Sequence, residues 1–155
     1  MARQVDETRA ARERSVDAAR RQLAGRLLNQ PALLEVAPAN ATVDLIEQLD
    51  TVLAEVAAPF VSQLGLKVVA ASAEEVTLSM PVTPTLVHAG GVVCGQALMA
   101  AADTAMVLAL TAGLGGFRPM TTVQLQTSFL KPVPGDAAEV RVVCTLLRRG
   151  RNLAF

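Results

Sequence analysis

The stretch CGQALMAAADTAMVLAL, residues 94–110, is almost wholly apolar and yet carries a carboxylate, Asp103, near its centre. Its pattern predicts a long helix from about Cys94 to Ala112, closed by the glycines that follow. Apolar residues lie both on the Asp103 side of this helix and behind it, so both faces are expected to be covered. One sheet covers a single face, so the N-terminal helices or a second subunit must cover the other.

The segments on either side of this helix alternate apolar and polar residues, as half-buried strands do. Strands are predicted at 66–73, 76–82, 122–129 and 138–147, and a further strand, short or incomplete, begins at 152. Short turns between antiparallel strands and one helix on a sheet face indicate an α+β domain.

The N-terminal part has a different composition. The pattern of residues 3–29 predicts an arginine-rich helix, which is either a solvated helix or an arm that clasps a partner subunit or a membrane surface. A connection around Pro31 and Pro38 follows it. We therefore divide the chain into a helical extension, 1–40, and a domain, 41–155. That domain is predicted to start with a helix at about 43–64, broken near Pro59.

The composition excludes several classes of function. The 155 residues suit one domain, and 14 basic and 14 acidic residues cancel, so no overall field attracts nucleic acid or membrane. There is no Trp or Tyr to stack on bases. One His and two Cys make a zinc site or a disulfide framework improbable. Without a signal peptide or an uninterrupted membrane-spanning run, we expect a cytoplasmic protein with no nucleic-acid or membrane partner.

A lone charge in a buried helix is costly, so Asp103 needs an explanation. Either it is a core carboxylate that accepts hydrogen bonds, with Thr104 or Gln96 as donors, or it is a general base or nucleophile beside a pocket.

The start of the same helix offers the complementary group. Its first amides, at Cys94 to Gln96, have no intrahelical acceptor and lie at the positive end of the dipole, which suits an oxyanion hole. Gly95 lets a carbonyl oxygen approach closely. Because Cys94 and Asp103 are roughly 13 Å apart along the axis and on opposite faces, they cannot reach one carbonyl group within a single chain. Two antiparallel copies of the helix could bring them together, which predicts active sites at a dimer interface.

These residues carry a resemblance. The run Ala101-Ala102-Asp103-Thr104-Ala105, with its nine-residue spacing back to Cys94, resembles the central helix of the hotdog-fold thioesterases, in particular the PaaI-like branch of phenylacetate degradation. The segment from Thr121 to Gly135 and the turn Arg149-Gly150-Arg151 also resemble that family. The likeness covers about Val56 to Phe155.

The resemblance implies an antiparallel sheet wrapped around the long helix, and hydrolysis of acyl-CoA thioesters without a metal. Coenzyme A enters as part of the substrate, not as a cofactor. By position, Asp103 would be the base or nucleophile, and the Gly95 amide would bind the thioester oxygen. The family forms homodimers that often pair into tetramers, so a dimer, or a dimer of dimers, is expected.

The chain departs from the family pattern at three positions. Cys94 stands where the family commonly has His, and Gln96 where it has a second Gly. His88 stands where an Asn or Gln often orients the nucleophile or water; it could take that role, or it could cap backbone groups of its loop.

Further candidates concern substrate binding. Cys94, Gln96 and Thr104 could contact the acid or the substrate, and Met99 lies on the acid's face, where an apolar acyl group would fit. The basic turn could bind the phosphates of coenzyme A, or it could be a solvated face; its candidate residues are Arg148, Arg149 and Arg151.

Two other functions remain open. A hotdog protein that binds acyl-CoA or only dimerises, without catalysis, is made plausible by the altered His-Gly-Gly motif. A hydratase or dehydratase on the same fold is a minor alternative, because His88 has no matching pattern around it.

Overall fold

The computed structural model describes residues 39–155, and the side chains from Val43 onward. The predicted helix at 3–29 and the connection at Pro31 and Pro38 lie outside the described residues. The described elements, in chain order, are α1 (Ala39–Val56), α2 (Pro59–Ser62), β1 (Lys67–Ala71), β2 (Glu75–Pro81), a 3-10 turn (Pro84–Leu86), α3 (Gly95–Leu114) and β3 (Glu139–Thr145).

The predicted helix at 43–64 is present and is interrupted where expected. Ala58, which precedes Pro59, is extended (φ −61°, ψ 151°), because a residue before proline is pushed out of the helical region. Pro59 then begins the short α2. On α1, Asp50 accepts a hydrogen bond through Oδ1 from the Val68 amide at 3.1 Å, which fastens α1 to the first strand.

The sheet has the order β1-β2-β3, and both pairs are antiparallel. Val76, Leu78 and Met80 on β2 are fully buried, while the residues between them are half-buried. This is the period of two that the sequence predicted. In the tight turn between β1 and β2, the Ser72 hydroxyl accepts hydrogen bonds from the amides of Glu74 and Glu75, both at 3.1 Å.

The long apolar helix is α3, and its predicted position is confirmed to within two residues at its C-terminal end. A stripe of small residues is buried against the core: Ala97, Ala101, Ala105, Ala109 and Ala112, together with Leu108. Gly115 ends the helix in the left-handed conformation (φ 72°), with its amide bonded to the Ala112 carbonyl, as a glycine C-cap does.

The two faces of α3 are covered unequally. The sheet packs against α3 through β2 and β3, and α1 also contacts the helix. Met99 nevertheless stays 39% exposed. By length and composition α3 is apolar enough to cross a membrane, but in this fold its buried residues pack on the sheet and on α1.

One predicted strand is wrong. Residues 122–129 form no strand, and every residue from 121 to 132 is exposed. The alternation of apolar and polar residues there is real, but a strand also needs a hydrogen-bonded neighbour, and no ladder joins this segment to β1, β2 or β3 in residues 39–155. We call residues 117–130 the connecting segment.

After β3 the chain folds back on itself. The Arg149–Ala154 bridge and hydrogen bonds between the backbones of Arg148 and Phe155 form a small hairpin around Gly150. The tight basic turn predicted at this point is therefore present. The α+β class is confirmed: a long helix lies on an antiparallel sheet, with helices preceding both.

Candidate active site

Asp103 lies in the middle of α3 and is half-buried. Its Oδ1 accepts a hydrogen bond from the Thr122 hydroxyl at 2.5 Å. The Thr104 hydroxyl, one of the donors considered for a purely structural carboxylate, instead donates to the Ala100 carbonyl at 2.8 Å within the helix. The carboxylate is therefore held from outside the helix, by the connecting segment.

A cleft of about 220 Å³ opens beside this carboxylate, and we call it the Asp103 cleft. Apart from Asp103 and Thr104, its walls are apolar. They come from three regions of the chain: α1 and the start of α2, the middle of α3, and the connecting segment. The lining residues are Leu53, Val56, Ala57, Ala58, Val61, Asp103, Thr104, Val107, Leu108, Phe117 and Met120.

The first turn of α3 has the geometry of an anion site. The Cys94 amide donates to the Leu86 carbonyl at 2.8 Å, which fixes the entry of the chain into the helix. The amides of Ala97 and Leu98 donate to the Cys94 carbonyl. The amides of Gly95 and Gln96 have no acceptor recorded within residues 39–155, so they are available to a ligand oxygen.

Phe129 covers this first turn. A Cβ placed on Gly95 would lie 3.0 Å from Cζ of the Phe129 ring, so a larger residue here would displace the ring by a few tenths of an ångström. The ring itself is 57% exposed. The connecting segment therefore touches both candidate catalytic groups of the chain: Thr122 bonds to Asp103, and Phe129 lies against Gly95.

His88 lies in the exposed loop before α3. Its Nδ1 accepts a hydrogen bond from the Gly90 amide at 2.9 Å, and its carbonyl accepts one from Gly91. His88 therefore caps backbone amides of its own loop, which is one of the two roles expected for it. Its orienting role in catalysis stays a prediction.

The basic turn lies at the far end of α3. Arg149 donates through Nη1 to the Gly113 carbonyl, in the last turn of the helix, where a cation also stabilises the dipole. Because a 20-residue helix is roughly 30 Å long, the turn is far from Gly95 of the same chain. Arg148 and Arg151 are exposed. Phosphate binding by these three arginines stays a prediction.

The remaining candidates divide between the two ends of the site. Cys94 is half-buried next to the core, and Gln96 is exposed. Met99 does not line the Asp103 cleft, whereas Thr104 does.

Burial, and secondarily the charge of Glu75, raises the pKa of the Cys144 thiol, which does not favour a nucleophilic thiolate there. No group of three or more His, Cys, Asp or Glu in the part of the chain that the structure describes could hold a metal ion.

Sequence reasoning missed several residues of the site. They belong to the connecting segment, for which the sequence predicts only a strand and the loop before it: Thr122, Phe129, Phe117 and Met120. The signal available was the presence of large apolar and hydroxyl side chains close behind the helix, but nothing in the spacing indicated which of them reach back to α3.

A known protein family matches the part of the chain that contains α3. Residues 90–155 match the model of the thioesterase superfamily. The matched residues contain α3 and β3, and the resemblance to the thioesterase superfamily with its hotdog fold is thereby confirmed. No curated protein matches the sequence significantly.

Solved structures show the same fold. A phenylacetic acid degradation-related protein from Ralstonia eutropha JMP134 is 29% identical, with a TM-score of 0.58, and the match covers 69% of this chain and 83% of that one. A thioesterase from Haemophilus influenzae is 27% identical, with a TM-score of 0.57, covering 70% and 73%. The PaaI protein of E. coli, at 15% identity and a TM-score of 0.56 over 71% and 75%, shares the fold.

Proposed function

We propose that this protein hydrolyses acyl-CoA thioesters, with Asp103 as the general base or nucleophile. The observation that carries the proposal is the position of Asp103: its carboxylate lines an apolar cleft on the central helix of a thioesterase-superfamily fold. A carboxylate at such a cleft can activate a water molecule or attack the thioester carbon directly.

The stabilisation of the oxyanion comes, in this proposal, from the partner subunit. Gly95 and Asp103 are eight residues apart on one helix, roughly 12 Å along its axis, so one chain cannot present both to the same carbonyl carbon. In a homodimer with antiparallel α3 helices, the Gly95 amide of one subunit would bind the thioester oxygen while Asp103 of the other acts on the carbon.

The exposed apolar surface of the connecting segment supports such an association. Val123 is 72% exposed, Phe129 is 57% exposed, and Leu130, the next residue in the chain, is 89% exposed. Large exposed apolar side chains that collect in one segment are typical of interaction surfaces. Since this segment also contacts Asp103, a subunit that covers it would adjoin the active site. Pairing of dimers into tetramers is part of the proposal.

The test is the Asp103→Asn variant, assayed with a panel of acyl-CoAs and a thiol reagent that detects free coenzyme A. We expect a fall in kcat of about 10²–10⁴-fold, because the amide can neither accept a proton nor act as a nucleophile. Asp136→Asn, in an exposed turn, is the matched control and should keep full activity.

Two outcomes would overturn the proposal. Equal rates for Asp103→Asn and the unchanged protein would remove Asp103 from catalysis. A folded protein that binds acyl-CoA but releases no thiol from any member of the panel would favour the non-catalytic alternative, which the substitutions in the His-Gly-Gly motif at Cys94 and Gln96 already suggested.

A further inference from the structure

We propose that Phe129 is a positioning residue for the thioester oxygen: its ring shields the Gly95 amide from water and so strengthens the hydrogen bond that this amide donates to the oxygen. This inference rests on the proposed function and adds a residue to the half of the site that Gly95 supplies. Phe129 does not react itself. It acts in the subunit that contributes Gly95, and not in the subunit that contributes Asp103.

The ring of Phe129 lies flat over the start of α3. A Cβ placed on Gly95 would be 3.0 Å from Cζ and 3.4 Å from both Cε atoms, and such similar distances mean that the outer part of the ring's face lies above this position. Because glycine has no side chain, nothing stands between the ring and the backbone of α3. The ring is therefore as close to the helix start as an aromatic side chain can come.

This position borders the space into which the open amides point. In an α-helix every Cα–Cβ bond tilts toward the N-terminus, and the amides of the first turn point out of the same end. A group above the Cβ position of Gly95 therefore flanks the space in front of the Gly95 and Gln96 amides, for which residues 39–155 provide no acceptor. A ligand oxygen bound by the Gly95 amide would have the ring of Phe129 as an apolar wall on one side.

An apolar wall changes the strength of that hydrogen bond. In open water, solvent competes for the amide and screens the charge that develops on the oxygen. A ring that excludes water from one side removes part of this competition, and preorganised donors stabilise an oxyanion most where water is excluded. Since the gain grows with the charge on the oxygen, it favours the transition state over the bound substrate.

The two contacts of the connecting segment serve different sites in the proposed dimer. Thr122 bonds to Asp103, whereas Phe129 lies over Gly95 of the same chain. Asp103 and Gly95 of one chain contribute to two different sites, because each site takes the carboxylate from one subunit and the amide from the other. An effect of Phe129 through Gly95 can therefore be separated from an effect through Asp103.

The first experiment is steady-state kinetics with acyl-CoA. We expect Phe129→Ala to lower kcat about tenfold with KM changed less than about twofold, since the amide is weakened and not removed. Phe129→Leu keeps an apolar cover and should recover most of the rate. Phe60→Ala is the matched control, because Phe60 is 62% exposed on α2 and lines neither cleft, and it should keep full activity. A change confined to KM would overturn the inference.

Dimers that carry a different tag on each chain assign the effect to one half of the site. When an Asp103→Asn chain pairs with a Phe129→Ala chain, the one working site has an intact Phe129 over its Gly95, and half the activity of the unchanged dimer is expected. When one chain carries both changes and its partner is unchanged, the working site lacks the ring, and the rate should be about tenfold lower than in the first pairing. Equal rates in the two pairings overturn the inference.

Hydrogen exchange of the Gly95 amide, followed by NMR, tests the shield without any substrate. We expect exchange to be about threefold or more faster in Phe129→Ala than in the unchanged protein, and unchanged in Phe60→Ala. The same exchange rate in Phe129→Ala and the unchanged protein overturns the inference even if Asp103 is essential for turnover. If no acyl-CoA is hydrolysed, the proposed function fails, and the exchange rates still decide whether Phe129 shields this amide.

Discussion

Among contacts between single residues, the hydrogen bond from the Thr122 hydroxyl to Asp103 matters most for the proposed chemistry. At 2.5 Å it fixes the position of one oxygen of the carboxylate that is proposed to act as base or nucleophile. Thr122 touches Asp103 without being proposed to react, so we regard it as a positioning residue.

Replacing this threonine should separate positioning from binding. We expect Thr122→Val to lower kcat about tenfold with little change in KM, since a hydrogen bond to a charged group is lost while the shape of the side chain is kept. Thr122→Ser restores the hydroxyl and should recover most of the rate in steady-state kinetics. Failure of serine to do so would indicate that the threonine methyl group, not the hydrogen bond, is what matters.

At the scale of secondary structure, α3 owes its close packing to small residues at its C-terminal end as well as along its buried stripe. A Cβ added to Gly113 would lie 2.5 Å from Leu146 Cδ2 and 3.0 Å from the Ala73 carbonyl oxygen. The helix end therefore rests directly on the turn between β1 and β2. Arg149 bonds to the Gly113 carbonyl at the same place.

This packing makes Gly113→Ala destabilising although alanine favours helices. The gain from helix propensity is at most about 1 kcal/mol, whereas overpacking costs about 1–3 kcal/mol. We expect a net loss of about 1 kcal/mol in the free energy of unfolding, measured by urea denaturation. In a Leu146→Ala background the additional loss should shrink, because one of the two obstacles is gone. Equal losses in both backgrounds would assign the strain to the backbone of Ala73 alone.

Association of two chains is the feature that matters at the scale of the whole molecule. The proposed site needs Asp103 from one subunit and the Gly95 amide from the other, so two different inactive chains should complement each other. Asp103→Asn removes the base. Gly95→Pro removes the amide hydrogen at the first helical position, where proline is tolerated, and the extended Cys94 (φ −67°, ψ 141°) is compatible with a following proline.

Each variant alone should be nearly inactive, and a co-expressed mixture should regain about a quarter of the activity. Half of the dimers would be mixed, and each of these would have one intact site of two. Light scattering on the same samples verifies the dimer. A fully active monomer, or a mixture as inactive as its components, would contradict a shared site. Because Phe129 lies over Gly95, near-native circular dichroism of Gly95→Pro is the necessary control.

The correctly predicted parts of the fold follow from the pattern of apolar and polar residues within single elements. The period of α3, the alternation along β2 and β3, and the break at Pro59 are each encoded within a few neighbouring residues, and each was located correctly. The predicted strand at 122–129 shows the boundary of this method: its alternation is as regular as that of β2, but a strand is defined by its hydrogen-bonded neighbour, which lies elsewhere in the chain.

The central helix with its one carboxylate, the apolar alternation of the sheet and the likeness to hotdog thioesterases can all be predicted from the amino-acid sequence, because they are properties of short runs of residues. Three contacts depend instead on how the chain packs: Thr122 holds Asp103, Phe129 covers Gly95, and α1 and α2 complete a cleft beside the carboxylate. Those contacts join residues distant in the chain, and their geometry follows from how the helices and the connecting segment pack around α3, which no local pattern specifies.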